Sequence, residues 1–402
     1  MAGKDRVGEI KKLVSREVDR QASGLRRLAL EIHRNPEVAF KEKKAAALLT
    51  GYLEKRGFQV ERGICRLPTA FRAVYGQGRP RLAILCEYDA LPEVGHGCGH
   101  NLIAGLGAGA GVAAKLAVDR FGGTLEVIGT PAEELGAGKA IMVDRGAFNG
   151  IEAALMAHPE LQDIAASNAR ALQMLDVVYI GRESHAGARP ETGVNALEAL
   201  LLAFNNINSL RHRLVNQGMV QGIITDGGKA ANIVPGRAAG QFAIRASTTQ
   251  ELGPLKKKVL ACFRAAAVAS GCRLQYKWGV RLDSVVSNLV LAGLYARNME
   301  SLGRKVVTGA PRQSNASSDL GNVSQITPTI QPLFAIAPVD CGIRGHSREW
   351  AELAASRQAL SAMIDAAKSL AMTVVDLLAN PANLAAAKKE FKSTIELARE
   401  RQ

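Results

Sequence analysis

Thr124-Leu-Glu-Val-Ile-Gly-Thr-Pro-Ala-Glu-Glu-Leu-Gly136 is the stretch from which the rest of the chain can be read. Thr124–Thr130 is a mostly apolar run of strand length, which predicts a buried strand. Two adjacent carboxylates, Glu133 and Glu134, follow it at once. The carboxyl ends of strands are where α/β proteins place their ligands. Adjacent side chains diverge, so one of the pair can hold a metal while the other handles a proton of water. The alternative is a helix N-terminus, where acidic residues favour the macrodipole.

Working outward, Ala70–Tyr75 and Arg81–Cys86 are short apolar runs separated by a Gly/Pro turn at Gly76–Pro80. A polar loop, Glu87–Asn101, leads into an Ala/Gly-rich helix over Leu102–Val118. Gly138–Arg145 reads as a short helix and Ala153–Ala157 as another strand. Upstream, residues 8–30 and 39–56 read as helices, and Gly57-Phe-Gln-Val opens a strand-like stretch. Strands alternating with helices predict an α/β domain with a mainly parallel sheet flanked by helices. Near residue 170 the pattern changes. Ala171–Ile180, Met219–Thr225, Gly240–Arg245 and Arg273–Gly279 read as strands, with helices over Gly193–Leu210 and Thr248–Ala269. That β-α-β-β-α-β order is the split βαβ unit, an α+β, ferredoxin-like arrangement. The expectation is therefore an inserted domain, 170–285, within a discontinuous domain formed by 1–169 and 286–402. Loops near 168–170 and 284–287 would act as the hinge of a lid. Arg348–Leu378 reads as helical, and a charged helix follows Asn380-Pro381.

At roughly 150 residues per domain, 402 residues suit this layout. Hydrophobic residues form 47% of the chain and charged ones 22%, which excludes a disordered tail and a membrane protein. The net charge is +14, but the basic residues are interspersed and aromatics are only 4%. A basic solvated surface that favours anionic substrates fits this better than nucleic-acid binding. Six cysteines are too few for a disulfide scaffold. The N-terminal stretch has the charge texture of a solvated helix rather than of an export signal, so the expected location is cytoplasmic.

Further groups add metal chemistry. Cys98-Gly-His100 places a thiolate and an imidazole on a Gly-flanked loop that can close on one ion. His158 stands at a strand end, and His346 lies beyond the inserted domain, just before a helix. Each alone reads as readily as a structural residue. Taken together, Cys98, His100, Glu134, His158 and His346 form a set of S, N and O donors with Glu133 as a spare carboxylate, which is what metal-assisted hydrolysis requires. The glycine run Gly105–Gly111 contains G-x-G-x-x-A twice, but no strand runs into its first glycine, so close helix packing is favoured over a dinucleotide site.

The motifs EYDALP (Glu87–Pro92), GHGCGHN (Gly95–Asn101), GTPAEE (Gly129–Glu134), MAHP (Met156–Pro159), SHAGARPETGVNALEAL (from Ser184), GGKAANIVP (Gly227–Pro235) and the terminal GHS resemble the M20 family of metallopeptidases and amidohydrolases. The resemblance runs in order along nearly the whole chain. EYDALP and CGHN are similar to the branch of p-aminobenzoyl-glutamate hydrolase and the β-alanyl-lysine type of dipeptidase. Glu87 and Asn101 depart from the DMDALP and CGHD of the auxin-conjugate and hippurate hydrolases. The resemblance implies two divalent ions, zinc or manganese (cobalt and nickel are alternatives), with Cys98 bridging and His100, Glu134, His158 and His346 completing the sites. Glu133 would be general base and then proton donor, and Asp89 would orient a ligand. His185 would stabilise the oxyanion, often from the partner subunit. Asn232 and Arg245 would bind the substrate's carbonyl and carboxylate. His96 reads as a loop histidine outside the ligand set. The implied reaction is hydrolysis of an amide bond in a dipeptide, aryl-amide or N-acyl amino acid by a homodimer joined through the inserted domain. An aminoacylase on N-acyl amino acids is the alternative within that chemistry, and a metal-free binding or regulatory protein on the same scaffold is the alternative outside it.

Overall fold

The computed structural model describes residues 2–211, 214 and 218–400. They divide into two compact units. The first comprises residues up to Asn168, Val285–Ser314 and the chain from Ser318 onward; the second comprises Ala169–Ser284 with Asn315–Ser317.

The first unit is built on a six-stranded sheet in the order Gln59–Arg62, Phe71–Gln77, Gly123–Gly129, Arg81–Cys86, Ala153–Leu155, Thr329–Ile330. The last four run parallel. The first two pair antiparallel with each other, and Phe71–Gln77 pairs antiparallel with Gly123–Gly129. The sheet is thus mixed, with the antiparallel pair confined to one edge. Central strands are buried on both faces, which is why TLEVIG reads as a continuous run rather than an alternation.

One helix, His100–Phe121, is long and apolar enough to cross a bilayer by length and composition, yet it is buried in the core from His100 through Ala114. Its glycines explain how. A Cβ at Gly105 would lie 2.6 Å from Met363 Sδ, and one at Gly109 would lie 2.5 Å from Leu25. At Gly107 and Gly111 it would come closer still to Cys86 and Val127. Alternate glycines therefore admit the neighbouring helices Ala2–Arg34 and Arg357–Ala379 on one side and the sheet on the other. The glycine run is a packing device, as its sequence setting suggests. The predicted C-terminal helix is two helices, Arg348–Leu353 and Arg357–Ala379, because Ser356 caps the second by accepting the Ala359 N–H.

The second unit is a four-stranded antiparallel sheet, Gly218–Asp226, Arg237–Ala246, Ala171–Ile180, Arg273–Leu282 in spatial order, with helices Ala196–Arg211 and Thr249–Ser270. Ala171–Ile180 alternates buried and less buried residues along its length, placing Leu175, Val177 and Tyr179 in the unit's own core with Phe242 and Phe263. Thr248 and Glu251 form a capping box that starts the second helix.

Candidate metal centre

The strand Arg81–Cys86 delivers Glu87 and Asp89 at its carboxyl end, and Gly123–Gly129 delivers Glu133 and Glu134 beside them. Between strand and carboxylates the backbone turns through Ala132, which is left-handed at φ 60°. A non-glycine residue there is strained and persists only when its surroundings hold it. Here the Ala132 N–H donates to buried Glu42 Oε1 at 2.9 Å, and the other Glu42 oxygen accepts the Thr69 hydroxyl at 2.8 Å. Gly99, at φ 79°, makes the tight turn before His100, the first residue of the central helix. The His346 N–H donates to Gly97 O at 2.8 Å, tying the late loop to the Cys98 loop.

These elements bring the five expected ligands together within the first unit. Cys98, His100 and His158 form one cluster whose donor atoms all lie within 4.8 Å of one another. Cys98, Glu134 and His346 form a second such cluster, and Cys98 belongs to both. Cys98 Sγ is 3.4 Å from His158 Nε2; Glu134 Oε1 is 3.9 Å from His100 Nε2 and 3.7 Å from His346 Nε2. The rings are oriented from behind. His100 Nδ1 donates to Asp89 Oδ1 at 2.8 Å, and His158 Nδ1 to Pro159 O at 2.9 Å, so each turns its Nε2 into the cluster. Asp89 also accepts the Glu134 N–H on its other oxygen at 2.9 Å, fixing two of the donors at once.

The donor set fits divalent cations. His100 Nε2 and Glu134 Oε1 are buried without a hydrogen-bond partner. Such groups are costly unless something absent from the protein itself completes them. Burial pushes the Cys98 thiol well above its ordinary value, a penalty that a coordinated cation reverses. Burial, and then the charges of Glu87, Asp319 and Glu134, hold the Glu133 carboxyl well above the usual carboxylate range.

Three neighbours were not legible as part of the site. Lys139, fully buried, lies 2.5 Å from Glu87 Oε1 and 2.6 Å from Asp319 Oδ1, and its backbone N–H donates to Asp319 Oδ2 at 2.7 Å. Burial alone would lower the Lys139 pKa, but Asp319 and Glu87 together raise it, so the ammonium stays charged. The only cue in the sequence is a lysine inside the apolar stretch that follows Glu133-Glu134.

The remaining expected residues have other settings. His96 is buried against Ile32 O and stacks on His33, outside every donor cluster among the described residues. Burial, with His100 and His33, pushes it down to about 3, so it is neutral. In the second unit, His185 sits on the two-residue strand Ser184–His185, paired with Ile233–Val234 beside Asn232. Its Nδ1 accepts the N–H groups of Gly187 and Ala188. It thus caps its own turn rather than the following helix. Arg245 is half-buried and donates to Ser317 Oγ at 2.6 Å.

The peptidase dimerisation domain model of the M20 type matches residues 170–270. The mouse Xaa-Arg dipeptidase is 35% identical over 404 residues, spanning 96% of this chain and 93% of that protein. One of the subunits of the Escherichia coli p-aminobenzoyl-glutamate hydrolase is 31% identical over 298 residues, 69% of this chain and 62% of that one. Among solved structures, a dinuclear metal-binding peptidase from Bacillus subtilis superposes with a TM-score of 0.66 at 18% identity, over 89% of this chain and 99% of that one.

Proposed function

The chain belongs to the M20 family of metallopeptidases and amidohydrolases, and on that premise we propose that it cleaves dipeptides with a basic C-terminal residue, using two divalent ions, zinc or manganese. It is an amide hydrolase acting on amino-acid derivatives. The observation that carries the two-ion reading is the pair of interlocking donor clusters that share Cys98, with His100 Nε2 and Glu134 Oε1 unpartnered inside them. The basic-dipeptide preference rests on the similarity to Xaa-Arg dipeptidase along nearly the full length of both chains.

Cys98, His100, Glu134, His158 and His346 would hold the ions, whose Lewis acidity polarises an amide carbonyl and acidifies water. Glu133 takes the proton from the attacking water and passes it to the leaving amine. Asp89 keeps the His100 ring in one tautomer, with Nε2 unprotonated. His185 has the opposite tautomer. Because its Nδ1 accepts two backbone N–H groups, the neutral ring carries its proton on Nε2, free to donate to the developing oxyanion. Asn232 and Arg245 bind the substrate's carbonyl and carboxylate. The working form is a homodimer joined through the second unit, a reading supported by the dimerisation-domain match.

The test is product analysis by mass spectrometry with added manganese or zinc, on Xaa-Arg and Xaa-Lys dipeptides, β-alanyl and N-acyl amino acids, and aryl-amide conjugates of glutamate. Glu133→Ala protein is the blank. Release of free arginine or lysine by wild type alone supports the proposal; turnover confined to the N-acyl substrates replaces it with an aminoacylase.

A further inference from the structure

Glu87 lies among the donors, although neither its sequence context nor the five-ligand set gives it a role there. Its side chain is 1% exposed, and its two oxygens face different ways. Oε1 lies 2.5 Å from Lys139 Nζ, which also holds Asp319 and so fixes the rotation of the Glu87 carboxylate. Oε2 lies 3.4 Å from His100 Nε2, and neither atom has a hydrogen-bond partner. His100 Nδ1 faces Asp89, so Nε2 is the ring atom turned toward Glu87, at a distance and alignment that make no hydrogen bond. A divalent cation between Oε2 and Nε2 would complete both of these buried atoms at once.

The separation has a scale. Two donors on one tetrahedral ion, with bonds of about 2.1 Å, sit roughly 3.4 Å apart. We infer that Glu87 is a further oxygen donor to the ion held by His100, its Oε2 standing beside His100 Nε2 on that ion. The inference rests on the two-ion reading and adds one ligand to it.

Cobalt(II) titration of the metal-free protein tests this, read by visible absorption and by the metal content of the loaded protein. Wild type is compared with Glu87→Gln, which keeps an oxygen for Lys139, and Glu87→Asp, which keeps the charge but withdraws the oxygen by one methylene. In both variants one of two ions should bind at least about tenfold more weakly, with the visible bands altered, while the other ion is unaffected. Thermal unfolding of the metal-free forms identifies a variant that has failed to fold, and the other then carries the test. Wild-type affinities and spectra in the folded variants overturn the inference and leave the two-ion reading standing. A wild type that takes up no cobalt overturns that reading, and this inference with it.

Discussion

Toward the start of the strand Arg81–Cys86, the buried carboxylate of Glu126 faces two guanidiniums, with Arg72 Nε at 3.0 Å and Arg81 Nε at 3.1 Å. Nearby, Glu152 meets Arg79 and Lys388. Past the end of the same strand stand Glu87, Asp89, Glu133, Glu134 and Asp319, and among the described residues only Glu87 and Asp319 of these five ion-pair with a lysine or arginine, the buried Lys139. Both regions bury acid. At one end the chain supplies arginine and lysine counter-charges, and at the other it leaves acid in excess. Burial of a carboxylate therefore does not mark function by itself; a missing counter-charge does.

Four measurements would break or sharpen that contrast. Glu133→Ala should keep its metal and lose roughly 10³-fold or more in turnover, whereas Glu126→Gln should change turnover per folded molecule hardly at all. Metal content and steady-state rates on one dipeptide check both, and an active Glu133→Ala enzyme would remove Glu133 from the chemistry. Glu126→Gln should instead cost about 3 kcal/mol of stability in urea, since Arg81 loses its carboxylate and Arg72 is left with the more distant Glu61 at 3.8 Å. Chelation should act only at the open end. Restoring a divalent ion at about 100 times its dissociation constant should return about 2.7 kcal/mol per site, equally in wild type and in Glu126→Gln. The smallest effect is expected at Glu152. Burial would raise its pKa, but Lys388 and Arg79 outweigh that and hold it below the ordinary value. A depressed folded-state pKa contributes stability above the unfolded value of about 4.3, and that stability is lost as pH falls through the folded value. Because Arg79 is largely exposed, Glu152→Gln should flatten the acid limb of the stability curve by less than about 1 kcal/mol.

The sequence carried the fold where periodicity is strong. Ala171–Ile180 alternates so regularly that its bounds can be read off directly, and the split βαβ order follows. Pairing direction was not legible. Nothing local makes Phe71–Gln77 run antiparallel to Gly123–Gly129, because that is decided by which strands meet. The break between the two C-terminal helices was hidden by Ala354-Ala355-Ser356, whose propensities continue a helix, and so was the membership of Asn315–Ser317 in the second unit. At the metal centre, Cys98, His100, Glu134, His158 and His346 stand out because sulfur and imidazole donors are scarce and sit at element ends. Lys139 and Asp319 did not. A lysine in a helix ordinarily reads as a solvent-facing residue, and its partner lies 180 residues away in a polar loop.

The glycine stripes of His100–Phe121 bear on how this protein can change. The helix that begins with His100 touches Met363 and Leu25 on one side, and Cys86 and Val127 on the other, with no side chains of its own to cushion the contact. A side chain at Gly105, Gly107, Gly109 or Gly111 would have to displace Met363, Cys86, Leu25 or Val127, or move the helix that carries His100 at its head. Core packing and the placement of one candidate ligand therefore depend on the same helix, and a substitution at one of its glycines acts on both.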